Sequence, residues 1–147
     1  MHEFLTRLPA FIGQHVLLVA TFIVIILALI GLEVSRRFRG FRELTPGALV
    51  QLINRGEPLV IDLSAIGDFE KGHITGSKHV ATSQFDPENK DLAKAKTLQV
   101  VTVCKNGVAS GKAAKRLVKA GFTNVATLAG GIEAWRRADL PLAKGKR

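Results

Sequence analysis

A single cysteine stands in a setting that favours nucleophilic chemistry. The run Val103-Cys104-Lys105-Asn106-Gly107-Val108-Ala109-Ser110-Gly111-Lys112 joins an apolar stretch, residues 99–103, to an amphipathic one, residues 110–120. Read as a strand entering a helix, this puts Cys104 at the carboxyl end of a strand, where open α/β sheets bind ligands. Residues 104–109 then form a loop that feeds a helix N-terminus. Successive backbone N–H groups in such a loop make an anion-holding nest, and Gly107 permits the tight backbone path. N–H groups and the helix dipole favour a thiolate, the nucleophilic form of the side chain. A persulfide on the same sulfur is also an anion that the nest would hold. Lys105 and Lys112 add positive potential wherever they approach it. The plain alternative is a small apolar cysteine at a strand end, because free cysteine is among the most buried residue types.

The chain has one Cys, so an internal disulfide, a CxxC redox pair and a Cys-rich zinc site are all ruled out. The four histidines, His2, His15, His73 and His79, have no ligand spacing, and no metal site is expected. The segment Gly107-Val-Ala-Ser-Gly111-Lys112-Ala113 is not a nucleotide-binding P-loop, which needs one more residue between its glycines and Ser or Thr after the Lys.

The elements that must position Cys104 follow from the apolar pattern. Thr45 and Pro46 are an N-cap and first helical position, with Leu49, Leu52 and Ile53 at helical spacing and Gly56 as the stop. The run Leu59-Val60-Ile61-Asp62-Leu63 reads as a buried strand, residues 99–103 as a second and residues 124–128 as a third. Residues 110–120 form an amphipathic helix closed by Gly121. Gly130-Gly131 precedes a last short helix through Trp135. Strands alternating with helices predict an α/β domain with a mostly parallel sheet flanked by helices. The 147 residues leave room for one such domain, and a hydrophobic content of 47% excludes a largely disordered chain.

The apolar residues are unevenly spread. Residues 8–32 contain no Asp, Glu, Lys or Arg. Residues 11–32 as a helix would be about 33 Å long, enough for a hydrocarbon core of about 30 Å. The start carries Glu3 and only Arg7, and residues 31–38 offer no good cleavage site, so an uncleaved anchor is expected rather than a signal peptide. Arg36, Arg37, Arg39 and Arg42 follow the span, which predicts an N-terminus outside and the remainder in the cytoplasm. The expected organisation is a short tail (1–10), a transmembrane helix (11–32), a basic linker (33–43), the α/β domain (44–143) and a basic tail (144–147). Net charge is +9, and Lys112, Lys115, Arg116 and Lys119 share one helix face. No aromatic-interleaved or helix-turn-helix signal accompanies this charge, so no nucleic-acid partner is expected.

Several segments occur together, in order: Val60-Ile61-Asp62-Leu63; Asp68-Phe69-Glu70-Lys71-Gly72-His73-Ile74-Thr75-Gly76-Ser77; the Cys104–Ala109 loop; Ala120-Gly121-Phe122-Thr123-Asn124-Val125; and Leu128-Ala129-Gly130-Gly131-Ile132-Glu133-Ala134-Trp135. This ordered set resembles the rhodanese (sulfurtransferase) family over about residues 45–143. With the anchor, the chain looks like the small membrane-attached rhodanese-like proteins of bacteria, which implies the inner membrane. The resemblance implies that Cys104 is the nucleophile that accepts a sulfane sulfur, and that Lys105, Asn106, Gly107, Val108, Ala109 and Ser110 form the loop holding the sulfur anion. Asp62 would organise neighbouring loops. His73 would be a structural hydrogen-bonding residue, and Gly130, Gly131 and Trp135 would close the domain. It further implies a small sulfur donor such as thiosulfate, a thiol or other nucleophilic acceptor, a further membrane or sulfur-carrier protein as a partner, and no cofactor.

Departures from the family pattern bear on donor choice. Ala109 and Ser64 stand where many single-domain relatives have Arg, and Thr75 where Pro is usual. A missing loop arginine removes an anion contact of about 1–3 kcal/mol. Cys-dependent phosphatases have a related loop one residue longer that ends in Arg; here Ser110 occupies the corresponding place. Two functions stay open at this level. One is a sulfurtransferase working through a Cys104 persulfide. The other is a membrane-tethered adaptor of the same fold without chemistry.

Overall fold

The computed structural model describes residues 13–37 and 39–145. The expected tail (1–10), the first two residues of the expected span (11–12) and the end of the basic tail (146–147) lie outside the described residues. The chain divides into two compact units, Met1–Arg39 and Gly40–Arg147.

In the first unit, helix α1 (Val16–Arg37) has an apolar stretch, Val16–Val34, that is 19 residues long with none of it buried. It is long and apolar enough to cross a bilayer. Its one hydroxyl in that stretch, Thr21, donates to Leu17 O at 2.8 Å, so the side chain is satisfied within the helix. The helix continues to Arg37, into the stretch expected to be a linker. Continuing it satisfies backbone groups at the end of the apolar run.

The second unit contains β1 (Arg42–Leu44), α2 (Pro46–Arg55), β2 (Leu59–Asp62), α3 (Ile66–Lys71), β3 (Lys78–His79), α4 (Lys90–Ala93), β4 (Val100–Val103), α5 (Val108–Lys119), β5 (Val125–Leu128) and α6 (Gly131–Arg137). The five strands pair in parallel in the order β1-β5-β4-β2-β3. All four residues of β4 and of β5 are buried, as expected for strands covered on both faces. Side chains alternate between two cores. Ile61, Val100, Cys104 and Val125 pack with Ala113, Ala114 and Leu117 of α5. Val60, Val101, Val103, Ala126 and Leu128 pack with Leu49 of α2 and with Ile132 and Trp135 of α6.

Helix α2 follows the sequence expectation: Thr45 Oγ1 accepts from Ala48 N–H, Pro46 opens the helix and Gly56 ends it. Strand β1 lies across the expected boundary at residue 43. Its polar Arg42 and Glu43 carry no apolar signal; the strand exists because it pairs with the edge of β5, Arg42 opposite Ala126 and Leu44 opposite Leu128.

Candidate active site

Parity along β4 aims the cysteine. Val100, Thr102 and Cys104 alternate with Val101 and Val103, so the Cys104 side chain falls on the face covered by α5. The chain then turns within three residues, and α5 begins at Val108, two residues earlier than the sequence expectation of Ser110. The difference has a local cause. Gly107 takes the N-cap place with φ +90°, a conformation suited to glycine, and the donors of the first turn find acceptors close by. Asn106 Oδ1 accepts from Val108 N–H at 3.2 Å. Cys104 Sγ accepts from Gly107 N–H at 3.1 Å and from Ser110 N–H at 3.3 Å. The sulfur thus caps the helix.

The loop is oriented from behind by α6. Ile132 N–H donates to Cys104 O and Glu133 N–H to Lys105 O, both at 3.0 Å. In a trans peptide the carbonyl and the following N–H point in opposite directions. With both carbonyls held by α6, the N–H groups of Lys105 and Asn106 point away from that helix, and neither has an acceptor among the described residues. This is why α6 opens on a glycine, Gly131. A Cβ on Gly131 would collide with Cys104 O and lie 2.6 Å from Lys105 O, and its φ of +62° also favours glycine.

Ser110 and Cys104 share further contacts. Ser110 Oγ donates to Gly107 O at 3.0 Å and lies 3.5 Å from Cys104 Sγ, placing its lone pairs within reach of the thiol hydrogen. Asn106 Oδ1 is a more distant acceptor at 3.9 Å. Cys104 is 3% exposed, while Lys105, Asn106 and Val108 are exposed around it. Thr102, which the sequence reading did not single out, is fully buried and donates to Ser110 O at 3.0 Å and Ala126 O at 3.4 Å. It ties the first turn of α5 to the centre of the sheet. A lone hydroxyl in the apolar run Val100-Val101-Thr102-Val103 is the signal that would have revealed it.

A second loop flanks the first. Asp62, fully buried at the end of β2, accepts Ser64 N–H on Oδ1 at 2.8 Å. His79 Nε2 bonds Ser64 O at 2.9 Å, which makes Nε2 the protonated nitrogen, and Thr82 Oγ1 donates to Leu63 O at 3.0 Å. These bonds fix the path from β2 into α3. From α3, Asp68 reaches the cysteine loop: its Oδ2 lies 3.7 Å from Lys105 Nζ. Neither His79 nor Asp68 was assigned a role from the sequence, although both lie in or beside the recognised motif.

His73 sits apart from the sulfur contacts. It is fully buried and stacked on Phe69, with ring centroids 3.8 Å apart and planes within 6°. Its Nδ1 donates to Phe69 O at 2.9 Å, and its backbone pairs with Ala143 in both directions. Trp135 is 3% exposed and donates from Nε1 to Pro141 O at 2.9 Å. Val108 places its backbone, not its 62% exposed side chain, in the loop network, and Ala109 is half-buried. Among the described residues no group of three or more His, Cys, Asp or Glu is arranged to hold a metal.

Comparison with known proteins places this geometry. The profile of the rhodanese-like domain matches residues 45–138. The uncharacterized protein YibN of Escherichia coli (strain K12) is 33% identical over 137 residues, covering 92% of this chain and 96% of that one. The thiosulfate sulfurtransferase GlpE of Haemophilus influenzae (strain PittEE) is 29% identical over 102 residues, covering 69% of this chain and 94% of that one. A crystal structure of thiosulfate sulfurtransferase from Pseudomonas aeruginosa superposes with a TM-score of 0.63 at 25% identity, covering 72% of this chain and 20% of that one.

Proposed function

This chain belongs to the rhodanese-like family, and from that premise we propose that it is a membrane-anchored sulfurtransferase whose Cys104 carries the transferred sulfur as a persulfide. The observation that carries the reading is the pair of backbone N–H groups, from Gly107 and Ser110, donated to Cys104 Sγ. Such donors stabilise a negative sulfur better than a neutral one. The family relatives named thiosulfate sulfurtransferase support the reaction class.

With thiosulfate as donor, the reaction has two halves. The Cys104 thiolate attacks the outer sulfur; a new S–S bond forms, the donor's S–S bond breaks, and sulfite leaves with the electron pair. Cys104 then bears a persulfide anion, whose terminal sulfur extends beyond Sγ. The N–H groups of Lys105 and Asn106, directed away from α6, are candidates to receive it. In the second half an acceptor thiolate attacks that terminal sulfur, forms its own persulfide and returns Cys104 as a thiolate. No step calls for a cofactor. A small donor and a thiol acceptor suffice, with a sulfur-carrier or membrane protein as a fitting acceptor.

The apolar helix Val16–Val34 supports anchoring. The arginines that follow it support a cytoplasmic domain beneath a bacterial inner membrane, with the N-terminus outside.

The test is sulfur loading. The detergent-solubilised chain, treated with thiosulfate and freed of excess donor, should gain the mass of one sulfur atom, and Cys104→Ser should gain none. Absence of loading from thiosulfate and from organic persulfides would remove the enzymatic reading. One observation favours a second reading, the adaptor without chemistry: Cys104 is only 3% exposed, so a donor must reach it through the exposed loop around it.

A further inference from the structure

Lys105 is the only basic side chain between Cys104 and Ser110. Its ammonium is 3.7 Å from Asp68 on α3. The side chains are 60% and 35% exposed, respectively, so this pair contributes little to folding. Its placement has a different consequence. Loop 104–107 and α3 both follow the carboxyl ends of their strands, β4 and β2, which are adjacent in the sheet. The pair therefore bridges the mouth of the cysteine loop. Asp68 is itself held in place, because α3 starts from the segment latched by Asp62, His79 and Thr82.

We propose that Asp68 is a positioning residue that engages the Lys105 ammonium, and so sets the preference of Cys104 between anionic and neutral reaction partners. An anionic donor must compete with the Asp68 carboxylate for Lys105; a neutral one does not. With Ala109 and Ser64 in place of basic residues, no guanidinium at those positions offsets the acid. The resting loop mouth is thus close to electrically neutral in its side chains, and anion binding rests on the backbone N–H groups. This inference concerns the selectivity of the same site and rests on the sulfurtransferase reading for its biological meaning, but its test does not depend on sulfur transfer.

Cys104 is the only thiol of the chain, so its alkylation by anionic iodoacetate and by neutral iodoacetamide is read without ambiguity from the intact mass of the full chain in detergent. The iodoacetate-to-iodoacetamide rate ratio cancels changes in thiol exposure or nucleophilicity. Asp68→Asn should raise this ratio about threefold or more at low ionic strength, with the gain shrinking in high salt. Asp68→Glu should restore the original ratio. Lys105→Met should lower it, and adding Asp68→Asn to Lys105→Met should change it little, since Asp68 acts through Lys105. An unchanged ratio in Asp68→Asn overturns the inference, as does an undiminished effect of Asp68→Asn in the Lys105→Met background. Thiosulfate loading is measured on the same samples. Failed loading with the ratio shifts intact removes the sulfurtransferase reading and leaves the role of Asp68 standing. Loading without a ratio shift does the reverse.

Discussion

At residue 131 a missing side chain shapes the site as much as the sulfur does. Gly131 lets α6 approach the cysteine loop closely enough for Ile132 and Glu133 to take the carbonyls of Cys104 and Lys105. Gly131→Ala meets two obstacles, a positive φ and a Cβ collision with loop backbone that has no flexible side chain to yield. The left-handed conformation alone costs about 1–2 kcal/mol for a residue with a Cβ. With the collision added, a loss of at least about 2 kcal/mol is expected, read as a lower urea midpoint. Because the collision is with the carbonyls that orient the loop, sulfur loading should fall further than stability alone explains. Gly111 supplies the contrast. It lies inside α5, has no positive φ and has nothing within 4 Å of a built Cβ. Gly111→Ala should stabilise by about 0.4–1 kcal/mol through lost freedom in the unfolded chain, with loading intact. Equal effects at the two glycines would show that the close approach at Gly131 is unimportant.

At the scale of elements, what positions Cys104 is the junction of β4 with α5, and Thr102 is its fastening. Thr102→Val keeps the shape and removes the hydroxyl that reaches Ser110 O and Ala126 O. A destabilisation of about 1–2 kcal/mol is expected from denaturant melts. Ser110 also supplies an N–H to the sulfur, so loading should slow along with the melt. An unslowed reaction would mean that the first turn of α5 holds its place without the strap. The junction was legible in the sequence because both its elements carry strong periodic signals: a run of buried residues in β4 and a four-residue apolar rhythm in α5. Cys104, Gly107 and the Gly130-Gly131 pair at the start of α6 could therefore be placed from the sequence. The helix start was not, because a cysteine sulfur substituted for the usual oxygen cap. Strands β1 and β3, of three and two residues, and helices α3 and α4, of six and four residues, had too little sequence to show a period. Pairing fixes the strands, Arg42 against Ala126 and His79 against Asp62. The role of Asp68 was equally hidden, since a half-buried carboxylate on a six-residue helix acquires a partner only when the loop beyond β4 is brought alongside.

For the whole molecule, one long apolar helix and one α/β unit of the rhodanese-like family share a chain whose charge is strongly asymmetric about the helix. Arg7 is the only Lys or Arg before the apolar run, whereas Arg36, Arg37, Arg39 and Arg42 follow within a few residues of it. On the proposed reading of this helix as a membrane anchor, retention of basic flanks on the cytoplasmic side predicts a cytoplasmic α/β unit. A reducing cytosol would keep the lone thiol available for sulfur chemistry. The position of Cys104 gives a direct readout, since no other thiol competes for a reagent. In bacterial spheroplasts producing the chain, a membrane-impermeant thiol reagent should leave Cys104 unmodified, and the same reagent should modify it after lysis. The lysed sample is essential because the side chain is 3% exposed and reacts through its loop mouth rather than from an open surface. Replacing all four arginines by Asn removes the charge bias and should make a fraction of the chains reactive in intact spheroplasts. Modification of the unaltered chain before lysis would place the sulfur site outside the cytoplasm, where the acceptor would have to be an extracytoplasmic thiol. The four-arginine variant then has a second use: if it stays fully protected, some feature other than basic flanks sets the orientation.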